Sequence, residues 1–284
     1  MAADAEEIAR IPADLAPGDA SALRFDWSGL RVRRIRSTDH PRFGDAFERL
    51  WAEFGASREM EQREVIASRL AWDPAVPIDG YRYLYEIMVV EDDDEIVALR
   101  DHTAITPAAS PLSSLDVLVH LSHVLVAPRR RGQGLAAWLR AFPLQAAREC
   151  TAAGGRAGAG ITLVAEMEPP ERADAATLRR LASYRRAGFA KLDPARVHYA
   201  QPDLRTAAAI AATGVAPVPL ALVLRRVGRE NERSITGEEV RTIVAALYAM
   251  FAVHVRPEHM APLWELHERL PAPHDAVDLV PPVE

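Results

Sequence analysis

The chain has 284 residues, which suits one large domain or a domain of about 200 residues with appendages. Hydrophobic residues make up 49% and charged residues 26%, with a formal net charge of −6; the first two values exclude wholesale disorder, and the acidic balance argues against a generic nucleic-acid binder. One cysteine, Cys150, excludes an internal disulfide and a cysteine-based metal cluster.

In chain order, residues 1–29 are rich in Ala, Asp, Glu and Pro without a sustained period and read as an N-terminal extension. Its first ten residues lack the basic and then apolar run of a signal peptide. Leu30 to Ile35 predicts a strand. Thr38 or Asp39 is expected to cap a helix with Pro41 in its first turn, and Phe43, Phe47, Leu50, Trp51 and Phe54 follow at helical spacing until Gly55. A second helix is predicted from Ser57 to Trp72, stopped by Asp73-Pro74. Tyr81 to Val90 and Glu95 to Thr106, around the acidic turn Glu91 to Asp94, predict a hairpin. After a loop from Pro107 to Ser114, a strand from Asp116 to Val126 leads into a helix reaching Ala153, with a kink at Pro143. A strand from Ile161 to Met167 and a helix from Asp174 to Ala187 come next, Gly188 closing the helix at its C′ position. Pro217 to Val227 is the last strong strand.

Beyond it, Thr236 and Glu239 form a capping box. Val240, Ile243, Val244, Leu247 and Phe251 step along one helical face, and a shorter helix spans Glu258 to Leu270. The expected division is therefore an extension over 1–29, a catalytic-type α/β domain over 30–228 and a C-terminal helical extension over 229–284. The longest apolar stretch, Ile243 to Val255, is shorter than the ~20 residues a membrane helix needs. A soluble protein of the reducing cytoplasm, with no membrane or nucleic-acid partner, is the expectation.

The chemistry concentrates at Val126-Ala127-Pro128-Arg129-Arg130-Arg131-Gly132-Gln133-Gly134-Leu135-Ala136, a strand-to-helix junction. Glycines let successive backbone N–H groups converge on an anion, and the helix start adds its positive dipole end. The arginines add mobile charge, so a pyrophosphate suits the segment. A Walker loop would need Gly-Lys-Ser/Thr, and no lysine is present there. A dinucleotide fingerprint is formally matched by Gly132, Gly134 and Ala137. It expects an acidic residue about 20 positions on, whereas Glu166 follows Gly134 by 32.

The same residues resemble the acetyl-coenzyme A signature of the GNAT acetyltransferase superfamily, Arg/Gln-x-x-Gly-x-Gly/Ala, carried here by Arg131, Gly134 and Ala136. Tyr184-Arg-Arg-Ala-Gly188-Phe189 resembles the family's Tyr-x-x-x-Gly-Phe. Where the family often has Asn and Ala before that tyrosine, this chain has Thr177 and Arg180. The resemblance covers about Leu30 to Val227. It implies a mixed α/β fold, a central twisted mixed sheet flanked by helices. The C-terminal helices would pack on that sheet or on a second copy of the chain in a homodimer.

The resemblance also implies acetyl-coenzyme A as co-substrate and direct transfer of its acetyl group to an amine. Val124 and Val126 would offer backbone donors, and Arg129, Arg130, Arg131, Gly132, Gln133, Gly134, Leu135 and Ala136 would hold the diphosphate. Tyr184 is the candidate acid, since a phenol with a pKa near ~10 is protonated at neutral pH. For the base, Glu166 and Glu168 share one side of their strand, while His120 and Ser122 share a side of theirs with His123 opposed; both sets stay open. Glu168, Phe54 and Tyr83, with Glu53, Arg58 and the rest of Tyr81 to Tyr85, are expected around the acceptor, a small-molecule or peptide amine. No metal site is expected: His254, His259 and His267 do not share a helical face. A catalytically degenerate domain that binds coenzyme A as a sensor or scaffold is the alternative, separated from the enzyme by Tyr184 together with an acidic or histidine partner near the thioester.

Overall fold

A computed structural model describes residues 14–24, 29–57, 59–109, 116–156, 158–169 and 174–283. Arg58, residues 1–13 and most of the loop ending at Ser114 lie outside them, as does the 170–173 part of the loop after Glu168.

The long strands form where β-branched and aromatic residues run together. β1 (Leu30–Ile35), β2 (Tyr81–Asp92), β3 (Glu95–Pro107) and β4 (Val117–Val126) pair in chain order, each antiparallel to the last. The β2–β3 hairpin closes through Asp93-Asp94, with Asp93 at φ 53°, a left-handed position that a short polar side chain tolerates. β5 (Ile161–Met167) then pairs with β4 in parallel. A parallel neighbour needs a crossover, which α3 (Leu135–Ala141) and α4 (Pro143–Ala153) supply. The predicted kink is here a full break at Phe142, where Pro143 lacks the N–H that would continue the ladder.

β8 (Val218–Arg226) lies antiparallel to β5, and the sheet continues through β6 (Ala190–Leu192), β10 (Ala276–Val280) and β9 (Ser234–Thr236), with β7 (Tyr199–Gln201) on the other end of β8. The sheet is mixed and covered on both faces. Period-two alternation along β2 decides which residue meets which layer. Tyr85, Ile87 and Val89 pack with α1 (Phe43–Leu50) and α2 (Arg63–Leu70). Leu84 packs with α4 and α5 (Ala175–Arg186), and Met88 and Val90 pack with α3. Each Leu or Ile buried this way contributes roughly 1.5–3 kcal/mol.

Several elements differ from the sequence expectation. α1 starts at Phe43 without a side-chain cap, because Ser37 to Arg42 turn on themselves through Asp39 N–H to Ser37 Oγ and Phe43 N–H to His40 O. It runs on to Gly55 through a π-helical turn, Trp51–Gly55. α2 is shorter than expected, and α6 (Ala207–Thr213) was not anticipated. The segment after 229 contains strands as well as α7 (Gly237–Ala252) and α8 (Pro257–Glu268). α7 lays Val240, Ile243, Val244, Leu247 and Phe251 against Leu118, Val164, Leu222 and Leu224 of the sheet. Near the other end, residues 17–24 form a 3-10 helix; Asp19 pairs with Arg140 through both oxygens at 2.8 and 3.0 Å. Among the described residues no helix is long and apolar enough to cross a membrane.

Candidate functional site

β4 and β5 pair only over Val117–His120 and Ile161–Val164, yet β4 runs on to Val126 and β5 to Met167. From His120 onward the two strands part, and the gap between them is where a ligand can reach main-chain donors. A bulge bends β4 at that point: Arg100 faces Val124 and His102 faces Leu121, so Ser122 and His123 together oppose Asp101. Asp101 Oδ1 fixes the bulge by accepting from the His123 backbone N–H at 2.8 Å and from its ring Nδ1 at 2.9 Å. The other ring nitrogen donates to the Glu59 carbonyl at 2.9 Å.

With both nitrogens donating, His123 is an imidazolium. Burial opposes that charge, but the Asp101 carboxylate outweighs it and raises the pKa to about 9. Burial likewise pushes the Asp101 carboxyl up, and the His123 charge and bonds bring it well below the usual carboxylate range. His123 is therefore a charged strut at neutral pH, and no proton acceptor. The N–H groups of His123 and Ala127 point toward β3, to Asp101 and to Val97 O. Strand alternation turns those of Val124 and Val126 the opposite way, into the gap.

A cavity of about 270 Å³ opens there, and Phe54, His120, Val124, Glu166, Glu168 and Tyr184 all border it. His120 Nε2 donates to Glu166 Oε2 at 2.9 Å, and Tyr199 O–H donates to Glu166 Oε1 at 2.6 Å. Ser122 O–H reaches His120 Nδ1 at 3.2 Å. Glu166 from one set of base candidates and His120 and Ser122 from the other thus form one hydrogen-bonded chain. Glu168 differs: its Oε2 accepts from Thr177 Oγ1 at 2.8 Å and Arg180 Nη2 at 3.2 Å, which ties it to α5. Those are the two positions where the chain departs from the family pattern. Tyr184 is 3% exposed, and its phenol oxygen accepts from Arg100 Nη2 at 3.0 Å.

A second cavity, of about 300 Å³, lies at the glycine turn, bordered by Val126, Arg130, Arg131, Gly132, Gly134, Leu135 and Ala136. Gly132 and Gly134 sit at φ 75° and 90°, where any other residue would be strained. Arg140 and Arg186 add charge to its wall, together with Asp19. The Arg140 guanidinium also lies 5.4 Å from the Tyr184 ring centroid, so these two side chains link the cavities.

Four predicted residues are placed elsewhere. Tyr83 is 1% exposed with its ring against Trp72 and Tyr81, in the apolar cluster and away from the cavity. Arg129 pairs with Glu95 on the surface, and the Gln133 amide turns back to Arg129 O; neither borders the second cavity. Glu53 is exposed on the π turn. His254 stacks on Trp72 and His267 bonds to the Arg241 carbonyl; no group of three metal-ligating side chains occurs among the described residues. Cys150 is buried in an apolar cluster, and burial pushes its thiol up to about 12.

Sequence reading missed Arg100, Asp101 and Tyr199. The first two left a signal, since Arg100-Asp101-His102 interrupts an otherwise apolar strand; Tyr199 sits in a three-residue strand and left none.

No family model matches the chain, and no curated protein matches it. Solved structures do. One is an aminoglycoside acetyltransferase from an uncultured soil metagenomic sample, in complex with trehalose, 16% identical over 57% of this chain and 88% of its own, TM-score 0.38. A second is a GNAT family acetyltransferase from Elizabethkingia anophelis with acetyl-CoA bound, 12% identical over 70% and 98%, TM-score 0.38. A third is an acetyltransferase from Streptococcus agalactiae, 8% identical over 70% and 99%, TM-score 0.39. The chain resembles the GNAT acetyltransferases. Its own sheet, with one parallel β4–β5 pair in an antiparallel run, is mixed and flanked by helices, as the motifs imply.

Proposed function

We propose that the protein is an N-acetyltransferase of the GNAT type, which moves an acetyl group from acetyl-coenzyme A directly to an amine. The observation that carries this reading is the parting of β4 and β5 after His120, with a glycine turn at one end and Tyr184, His120 and Glu166 around the opening. The turn and Arg130, Arg131 and Arg186 suit a diphosphate, and the inward N–H groups of Val124 and Val126 suit a thioester oxygen that gains charge as the carbonyl is attacked. His120, its ring oriented by Glu166 at Nε2, takes the proton of the attacking amine at Nδ1 in place of the Ser122 hydroxyl; Tyr184 gives its proton to the departing thiolate. The acceptor is a small-molecule or peptide amine.

Calorimetry with acetyl-coenzyme A, followed by thiol release across an amine panel, tests the proposal. Binding with amine-dependent release is expected. Binding with no release for any amine would leave a coenzyme A sensor, and binding of NAD or a nucleoside triphosphate in place of the thioester would overturn the reading.

A further inference from the structure

Ser122 occupies a position that proton transfer from an amine does not require. It stands at the β4 bulge and borders the cavity, and its hydroxyl donates to His120 Nδ1 at 3.2 Å. In the neutral ring the hydrogen is on Nε2, because the Glu166 carboxylate beyond it only accepts. Tyr199 holds the other oxygen of that carboxylate at 2.6 Å, and Glu166 and His120 side chains are 8% and 3% exposed. The ring is therefore locked with its free lone pair on the serine hydroxyl. Nucleophile, base and orienting carboxylate are in place, the relation that activates serine in acyl-transfer enzymes on unrelated folds. The Val124 N–H, two residues along the same strand and turned into the gap, supplies a donor for the oxyanion.

We propose that Ser122 is a nucleophile, and that the cavity hydrolyses small activated acyl esters through an acyl-serine. The Ser122 oxygen attacks the carbonyl carbon and its proton passes to His120 Nδ1. Collapse of the tetrahedral species breaks the bond to the leaving oxygen, which takes that proton from His120 and departs as the alcohol. Water then attacks the acyl-serine and gives a proton to His120, and the serine oxygen recovers it as the carboxylic acid leaves. The sum is ester plus water giving acid plus alcohol. This activity needs no coenzyme A; the same step on a thioester rests on the transferase reading.

The probe is p-nitrophenyl acetate with the full chain and no amine. A burst of one nitrophenolate per chain is expected, with one acetyl group on the peptide carrying Ser122. Ser122→Ala should lose the burst by at least ~100-fold while keeping its melting temperature and acetyl-coenzyme A affinity, and Glu166→Gln should slow the burst and shift its pH profile. An acetylated Ser122 in a chain that fails to bind acetyl-coenzyme A would sink the transferase reading and leave this one standing. A chain that acetylates amines but carries no acetyl on Ser122, or carries it on another residue, overturns the nucleophile and leaves the transferase.

Discussion

Tyr184 sits beneath two cations. Arg100 is 1% exposed, two of its nitrogens have no hydrogen-bond partner, and no carboxylate pairs with it among the described residues. A buried guanidinium in that state favours any negative charge that forms nearby. Burial pushes the phenol up, but Arg100 and Arg140 together hold it below the ordinary tyrosine value. Because the phenol oxygen accepts from Arg100, its own proton is free for the thiolate. Tyr184→Phe should lower kcat by ~10²–10⁴ and leave KM for acetyl-coenzyme A nearly unchanged. Arg100→Met removes a cation that lowers the pKa, so the basic limb of the pH–rate profile should move to higher pH. His123 gives a second test. Its pKa is raised, to about 9, so the stability it contributes is full below ~6.5 and lost as pH climbs through 9. Melting temperatures of the native chain should fall across that window more than those of His123→Gln. His120, Glu166 and Tyr184 were legible because strand alternation and a motif place them. Arg100 and Tyr199 were not, since each acts across elements far apart in sequence.

The Tyr-x-x-x-Gly-Phe pattern is a helix end. Phe189 N–H bonds to Tyr184 O and Gly188 N–H to Arg185 O, both at 3.1 Å, with Gly188 at φ 81°, the paired bonds of a Schellman motif. The Phe189 ring meets the Tyr184 ring edge-on at 4.8 Å. The glycine reverses the chain, the phenylalanine seals the end, and the tyrosine is held by both. Gly188→Ala places a left-handed alanine whose Cβ lies 3.1 Å from Glu230 Cγ. We expect a loss of about 1–2 kcal/mol in denaturant unfolding, accompanied by a fall in kcat as Tyr184 shifts; an unchanged midpoint would remove the motif from the account. Elements of this kind could be read from sequence because the signal is local: β5 matches residue for residue, and Asp174 caps α5 through the Thr177 N–H. β6, β7 and β9 have three residues each, too few for an alternation to show. The start of α1 was misread because the Asp39 N–H donates to the Ser37 hydroxyl in a turn before the helix.

At the scale of the whole molecule, the C-terminal segment belongs to the cavity. β10 extends the sheet beside β6, with Leu279 opposite Leu192, and α7 brings Phe251 to the cavity wall, its ring 5.8 Å from that of His120. The period of 3.6 along α7 announced an apolar face, but only the fold shows that this face reaches the cavity at Phe251. No described residue after 229 borders the glycine-turn cavity. Changes on α7 should therefore separate the two substrates. Phe251→Ala removes a side chain that is 1% exposed and should cost ~3–5 kcal/mol; Phe251→Leu keeps most of the volume and should cost less. For the leucine variant, KM for the amine should rise several-fold while the calorimetric Kd for acetyl-coenzyme A stays within a factor of about two. Equal changes in both would mean that α7 acts through global stability and has no part in acceptor binding.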